Sequence, residues 1–164
     1  MNPSAVLLKT MLRDLHAMER ELALFPDETS VWRTLPGVAN SAGNLALHVA
    51  GNLRHFIGHV LGGSDYVRDR DREFSQRSGS REDLRAQLAQ AEEVLRSVLP
   101  VLDAQALDAP YPAAPGGLAV STGTWLLHLA THLAFHLGQA GTLRRALTGS
   151  SATSGALGLQ ELLD

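Results

Sequence analysis

Three histidines recur at a spacing of four within residues 125–144, which read WLLHLATHLAFHLGQAGTLR. At about 100° per residue, each step of four drifts by only about 40°, so His128, His132 and His136 share one side of a helix. Apolar residues fill most of the other positions, which predicts a helix that is buried nearly all round. A row of imidazoles inside a helical core is costly unless each ring has a partner. A shared metal ion is the simplest common partner for several neutral imidazoles, so the pattern suggests a metal site with further ligands elsewhere in the chain.

A second polar row lies in residues 41–62, on a segment that is otherwise rich in apolar residues. His48, Asn52, His55 and His59 fall within an arc of about 60° on a helical projection. The row borders the apolar stripe of the same helix, so we expect it to face the helix that carries the other histidines. His48 and His59 are separated by about 16 Å along the axis, so the four side chains cannot all meet at one point.

The periodicity of the apolar residues predicts an all-α protein. Leucine and other apolar residues recur at steps of three and four in four long segments, each of which has one apolar stripe. Four such helices form a four-helix bundle, and the links between them are longer than simple hairpins need. We therefore predict a bundle with long crossover connections in which the two histidine-bearing helices are adjacent. The predicted helices cover residues 4–25, 41–62, 81–100 and a segment that begins at Ser121 or Thr122.

Two connections have a distinctive composition. Residues 64–79 contain a run of alternating charge from Arg68 to Arg72, which has little net field and is typical of a solvated surface loop. Residues 103–121 hold three of the seven prolines and a glycine pair, which predicts a long irregular link. Residues 149–164 begin with glycine and serine and become apolar again, so we expect a short final helix that docks on the bundle or on a second subunit.

Length and composition narrow the class of protein. The 164 residues are the size of one domain, which we place at 1–164. The absence of cysteine excludes disulfides and thiolate ligands, so a metal ion would have histidine, carboxylate and water as ligands. The formal net charge of −3 argues against a nucleic-acid partner. The first residues lack a cleavage-type signal, and no apolar run reaches the length of a membrane span. We expect a cytoplasmic protein with no membrane partner.

The spacing of the histidines predicts a particular kind of metal site. Two histidines four apart can bind one ion together, and a third imidazole from the second row, His48, would complete a site of three histidines. Leu133 stands where HExxH enzymes place their general base, so this is not a site of that type. Three ligands leave positions open, which favours catalysis over a closed structural site, and all-nitrogen ligation suits Zn, Ni, Fe or Co. Spacing alone leaves open whether His132 pairs with His128 or with His136. The lone His16 is predicted to be partly exposed and not a ligand.

Three strings carry a resemblance to a known family: LALHVAGNLRHFIGHVLGG, the following YVRDRDREFS, and HLATHLAFHLGQAGTLRR. They resemble the DinB/YfiT-like superfamily of bacterial four-helix-bundle proteins, and the HLGQ ending after a pair of histidines four apart is the most specific element. The resemblance implies a site for a divalent ion built from His48, His132 and His136, with His128 as a neighbour. It also implies a homodimer, which the apolar tail (Leu157, Leu159, Leu162 and Leu163) supports. The polar groups available to orient a ligand or substrate are Asn52, His55, His128 and Gln139.

The resemblance also implies a chemistry. Relatives include transferases and isomerases that use low-molecular-weight thiols, as well as hydrolases, so the expected reaction is the activation of a thiol or a water molecule for attack on a small-molecule electrophile. One alternative is a non-catalytic, stress-related binding protein whose metal is structural or vestigial. No acidic residue lies in either histidine row to serve as a base, which favours that alternative. A third hypothesis is a pH-responsive bundle whose histidines titrate near neutrality.

Overall fold

The computed structural model describes residues 2–155 and 158–163, and its secondary structure is helical throughout. No strand occurs within these residues, and a single antiparallel bridge joins Pro110 to Ser121. The all-α prediction is therefore confirmed. A π-helix, Arg54–His59, continues the third helix, and two 3-10 turns cover Leu99–Val101 and Pro115–Gly117. The α-helices are α1 (Pro3–Ala23), α2 (Glu28–Val31), α3 (Ala42–Leu53), α4 (Arg70–Ser75), α5 (Arg81–Val98), α6 (Ala104–Asp108), α7 (Thr122–Thr148) and α8 (Gln160–Leu163).

Side-chain caps set the starts of the four long helices. In each case a serine or asparagine oxygen accepts a hydrogen bond from a backbone N–H of the first turn, which would otherwise have no partner. At α3 the cap is reciprocal, because Asn44 Oδ1 also accepts from the backbone of Ser41. The end of α7 is set by Gly149, whose φ of 69° is the left-handed conformation that closes many helices. The N-caps of α1, α3, α5 and α7 are Asn2, Ser41, Ser80 and Ser121.

The four long helices surround one hydrophobic core in the order α1, α5, α3, α7. Because of this order, α1 lies diagonally opposite α3, and α5 lies opposite α7. The links from α1 to α3 and from α5 to α7 therefore cross the ends of the bundle, which confirms the predicted crossover connections. The two histidine-bearing helices, α3 and α7, are in contact as predicted. Fully buried side chains at the centre include Leu15, Met18, Leu53, Leu95, Leu129 and Leu133.

The predicted second helix does not continue as an α-helix to residue 62. From Arg54 onward the hydrogen bonds span five residues: the backbone N–H of Val60 donates to the carbonyl of His55 at 3.0 Å. The carbonyl of Phe56 instead accepts a hydrogen bond of 2.6 Å from the hydroxyl of Tyr111. This change of helix type rotates the residues that follow Asn52 relative to an ideal α-helix.

The prediction that residues 64–79 form a solvated loop is wrong in part. Residues 70–75 form α4, which packs against α3, and only 5% of Glu73 is exposed. The buried side chain of Asn44 holds this short helix by donating hydrogen bonds of 2.9 Å to the carbonyls of Glu73 and Gln76. The α4 helix is thereby fixed beside the start of α3.

Two other expectations differ from the structure or lie beyond it. The α7 helix is not buried all round, because it has an outer face on which Leu127 is 58% exposed and Phe135 is 62% exposed. The short final helix, α8, packs against α1. Of the tail leucines, Leu157 lies outside the described residues. None of the described helices is both long enough and apolar enough to cross a membrane.

Candidate metal centre

Three of the seven histidines converge where α3 packs against α7. The Nε2 atoms of His48 and His132 lie 3.2 Å apart, and those of His132 and His136 lie 3.0 Å apart. One ring nitrogen from each residue falls within a group whose members are all within 4.8 Å of one another. His48 is buried, while His132 and His136 are partly buried. Together these histidines could hold a metal ion.

The two distances that join His132 Nε2 to the other ring nitrogens suit a single ion. Zinc binds histidine nitrogen at about 2.0–2.1 Å, so two ligands at angles of 90–109° place their nitrogens roughly 2.9–3.4 Å apart. Both measured separations fall in this range. Without an ion, a proton on His132 Nε2 could form a hydrogen bond with only one of the two neighbouring Nε2 atoms. The lone pair of the other Nε2 atom would then have no partner. The donor set therefore fits a divalent ion, and all-imidazole ligation is compatible with Zn, Ni or Fe.

His48 is oriented by a buried carboxylate. Its Nδ1 donates to Glu73 Oε2 at 2.9 Å, so the Nε2 lone pair is directed at the other two histidines. Arg68 holds Glu73 in place through Nε to Oε1 at 2.7 Å and Nη2 to Oε2 at 2.8 Å. Burial alone would raise the pKa of Glu73, but the hydrogen bonds from His48 and Arg68, together with the charge on Arg68, lower it below its usual value. The residue is thus an ionised carboxylate that accepts from an imidazole.

His136 has a comparable partner on its own helix. Its Nδ1 donates to Gln139 Oε1 at 2.8 Å, three residues further along α7. This contact directs the Nε2 lone pair of His136 toward His132. The amide oxygen of Gln139 accepts without adding a negative charge.

Burial keeps the α7 histidines in the neutral form that binds metals. Desolvation, aided by the neighbouring rings of His136 and His48, lowers the pKa of His132 to about 4. Desolvation also lowers the pKa of His136, and the hydrogen bond that His136 donates to Gln139 opposes this effect by raising the pKa. Neutral imidazoles at neutral pH are ready to coordinate an ion without releasing protons.

The remaining histidines lie outside the cluster. His128 is exposed and stacks on Trp125, with ring centroids 4.8 Å apart. His55 and His59 stack on each other at 5.7 Å, within the π-helix that rotates them away from the ideal row. His16 Nε2 donates to Glu92 Oε2 at 2.9 Å, in a contact that joins α1 to α5.

Asn52 lies on α3, about one helical turn after His48. It is 7% exposed, and its Oδ1 has no hydrogen-bond partner among the described residues. His55 Nδ1 is likewise buried without a partner. Burial is the main cause that lowers the pKa of His55, and the charge of Arg68 adds to it.

The Glu73–Arg68 pair was not predicted from the sequence, because both residues stand in a stretch of alternating charge that is typical of exposed loops. One indirect signal was present. Gly51 occupies a helix interior next to the histidine row, where glycine is unfavourable unless another group approaches closely. In the structure, a Cβ at Gly51 would clash with Glu73 Oε1. The glycine thus leaves room for the carboxylate that contacts His48.

Comparisons with known proteins agree with this architecture. The family model described as the DinB superfamily matches residues 10–140, a span that includes all three clustered histidines. No curated protein and no solved structure matches the chain. The match covers well over half of the sequence and the helices that form the site. The chain belongs to the DinB superfamily.

Proposed function

We propose that this protein binds one divalent ion through His48, His132 and His136 and uses it to activate a thiol or water for transfer or hydrolysis. The observation that carries the proposal is the convergence of three ring nitrogens within 4.8 Å. Three protein ligands leave coordination positions for a small molecule, as catalytic zinc sites do. When bound, the ion supplies Lewis-acid chemistry that lowers the pKa of a coordinated thiol or water.

The residues around the cluster have separate roles in this proposal. Glu73 and Arg68 fix the tautomer and orientation of His48, and Gln139 does the same for His136. Burial supplies the neutral form of His132. The Nδ1 hydrogen bonds that orient His48 and His136 leave the Nε2 atoms of both rings available to an ion.

A thiol is the better-supported nucleophile. A free thiol has a pKa of about 8.5 and is deprotonated outright on coordination, so it needs no separate base. A water molecule benefits from a nearby base, and Glu73 is poorly placed for that task. Its two oxygens are engaged by Arg68 and by the Nδ1 edge of His48, on the opposite side of the ring from the shared Nε2 atoms. The substrate is therefore proposed to be a low-molecular-weight thiol that attacks a small electrophile.

The test is an assay of conjugation between a chromogenic electrophile, 1-chloro-2,4-dinitrobenzene, and a panel of small thiols. The protein loaded with zinc, nickel or iron should accelerate at least one reaction, and the His132→Ala variant should not. The His16→Ala variant, altered at a histidine outside the cluster, should match the wild type. If the protein binds an ion stoichiometrically but accelerates neither conjugation nor ester hydrolysis, a non-catalytic metal-binding protein becomes the better account.

A further inference from the structure

A cavity of about 700 Å³ lies between α7 and the segment that leads into α3. One wall is a face of α7 between Phe135 and Ala146, and the opposite wall consists of residues 35–40 together with Leu45 of α3. Pockets that bind small molecules have volumes of about 300–1,000 Å³, so this cavity has the size of a ligand site. None of the three clustered histidines lines it, so it is not the metal site itself.

The wall opposite α7 is held by backbone geometry. The carbonyl of Leu35 accepts a hydrogen bond of 2.9 Å from the backbone N–H of Val38. Pro36 and Gly37 are the central residues of this turn, and the φ of Gly37 is 79°. Proline followed by a residue with positive φ is the pattern of a type II turn, in which glycine is favoured at the second position. The turn fixes the shape of this wall before any ligand binds.

The lining of the cavity selects an uncharged ligand. Its polar side chains are the uncharged Asn40, Gln139 and Thr142, and none of the described residues that line it is charged. Apolar surface is open to solvent at the cavity, because Val38 is 40% exposed and Phe135 is 62% exposed. A charged ligand would lose hydration here without meeting an opposite charge, whereas an apolar ligand gains free energy by covering this surface.

Gln139 connects the cavity to the histidine cluster. Its side chain lines the cavity, and its Oε1 accepts the hydrogen bond of 2.8 Å from His136 Nδ1. The ring of Phe135, which also lines the cavity, has its centroid 5.3 Å from that of His136. A ligand in the cavity shields the contact between Gln139 and His136 from water. The imidazole that offers its Nε2 atom to a metal ion is then held more firmly in place.

We infer that this cavity binds an uncharged, mainly apolar small molecule and that Gln139 couples its occupancy to the metal centre. The binding of this ligand does not depend on the proposed function, whereas the coupling rests on the metal site in that proposal. Because coupling between two sites is reciprocal, a ligand that tightens zinc binding must itself bind more tightly to the zinc-loaded protein.

Two fluorescent probes of the same skeleton test the class of ligand. N-phenyl-1-naphthylamine is uncharged, and 8-anilino-1-naphthalenesulfonate has the same rings with one added sulfonate. Each probe is titrated into the metal-free protein. The wild type should bind the uncharged probe more tightly by about tenfold or more, because the sulfonate finds no cation in the cavity. Equal affinity for the two probes, or a preference for the sulfonate, contradicts the inference.

A pair of variants on α7 tests the location. Thr142→Phe places a ring at the lining of the cavity and should weaken binding of the uncharged probe by about tenfold or more. Thr131→Phe makes the same change at an exposed position of α7 that does not line the cavity, and it should bind the probe as the wild type does. Ala146→Phe, at another lining position, replaces Thr142→Phe if that variant does not fold. The site is wrongly placed if the variant at the lining retains wild-type affinity, or if Thr131→Phe loses as much. A wild type that binds no probe, and that light scattering shows to become monomeric on Thr142→Phe, would make the cavity a protein interface instead.

Competition with a zinc chelator, with and without saturating N-phenyl-1-naphthylamine, tests the coupling. The probe should tighten zinc binding by the wild type about fivefold or more. Gln139→Leu keeps the apolar lining but removes the acceptor of His136, so it should bind the probe while its zinc affinity no longer responds to it. If the probe occupies the cavity and leaves the zinc affinity of the wild type unchanged, the coupling is refuted. If the wild type binds no zinc, the proposed function and the coupling both fail, and the cavity still stands or falls by the probe titrations.

Discussion

Replacing Glu73 by glutamine should weaken metal binding without removing any of the three histidines. The carboxylate provides two oxygens, of which Oε1 accepts from Arg68 Nε and Oε2 accepts from His48 Nδ1 at 2.9 Å. Glutamine has one acceptor oxygen, so either His48 or Arg68 loses its partner. If His48 loses its hydrogen-bond partner, its ring is no longer held in one orientation. The tautomer that leaves Nε2 free to bind a metal is then no longer favoured over the other.

The size of the effect follows from the contact. Hydrogen-bond partners of metal-binding histidines typically change metal affinity by about 10–100-fold when they are mutated, which corresponds to roughly 1.4–2.7 kcal/mol. The Glu73 side chain is 6% exposed and that of His48 is 8% exposed, so water cannot readily replace the lost contact. We expect a loss in this range for Glu73→Gln. The free energy of unfolding of the metal-free protein, measured in urea, should also fall by about 1–3 kcal/mol, because a buried group is left without a hydrogen-bond partner.

Glu92→Gln is the matched control for this variant. Glu92 Oε2 also accepts from a histidine at 2.9 Å, but that residue, His16, lies outside the cluster. Burial raises the pKa of Glu92, and the hydrogen bonds from His16 and Arg96 outweigh this effect and lower it. The assay is competition of each apo protein with a chromogenic zinc chelator at fixed pH and salt. The reasoning is refuted if Glu73→Gln binds zinc within twofold of the wild type, or if Glu92→Gln loses as much affinity.

Three further predictions concern packing, pH and assembly. Gly51→Ala should displace Glu73 and weaken zinc binding in the same chelator assay. Gly138→Ala is the control, because its new Cβ would meet nothing within 4 Å. This control should leave zinc binding unchanged and stabilise α7 by up to about 1 kcal/mol. Because the folded pKa of Glu92 is lowered, its stabilising effect is complete above its unfolded pKa of about 4.3 and is lost as the pH falls through the folded value. The free energy of unfolding in urea should therefore be higher for the wild type than for Glu92→Gln by up to about 1 kcal/mol at pH 7. This difference should vanish in acid. The apolar C-terminal tail predicts a homodimer, and light scattering that gives a monomer mass at tens of micromolar would contradict it.

The helices could be predicted from the sequence because their signals are local. Apolar periodicity and capping residues such as Ser41 and Ser80 act over a few positions, and they located the starts of the long helices to within a residue or two. The pairing of α3 with α7 followed from two polar rows that each needed a partner.

The surroundings of the site depend on contacts between distant parts of the chain, and these leave little trace in local patterns. Glu73 lies 25 positions after His48, in a charged stretch that resembles a solvated loop. The π-helix that separates His55 from the cluster accompanies a hydrogen bond from Tyr111, which is 55 positions away from its acceptor, the carbonyl of Phe56. Neither contact could be predicted from periodicity.

The most direct test of the central claim is the metal content of untagged protein that has been loaded with zinc and then desalted. We expect about one ion per chain in the wild type and in His16→Ala, and a strong loss in His132→Ala, His136→Ala and His48→Ala. All of these variants should remain folded, because the remaining imidazoles can hydrate or protonate in a partly open cleft. If His48→Ala keeps full occupancy while His55→Ala abolishes it, the assignment of the α3 ligand is wrong. If the wild type retains no zinc under conditions in which it is folded, the three-histidine cluster is not a metal site.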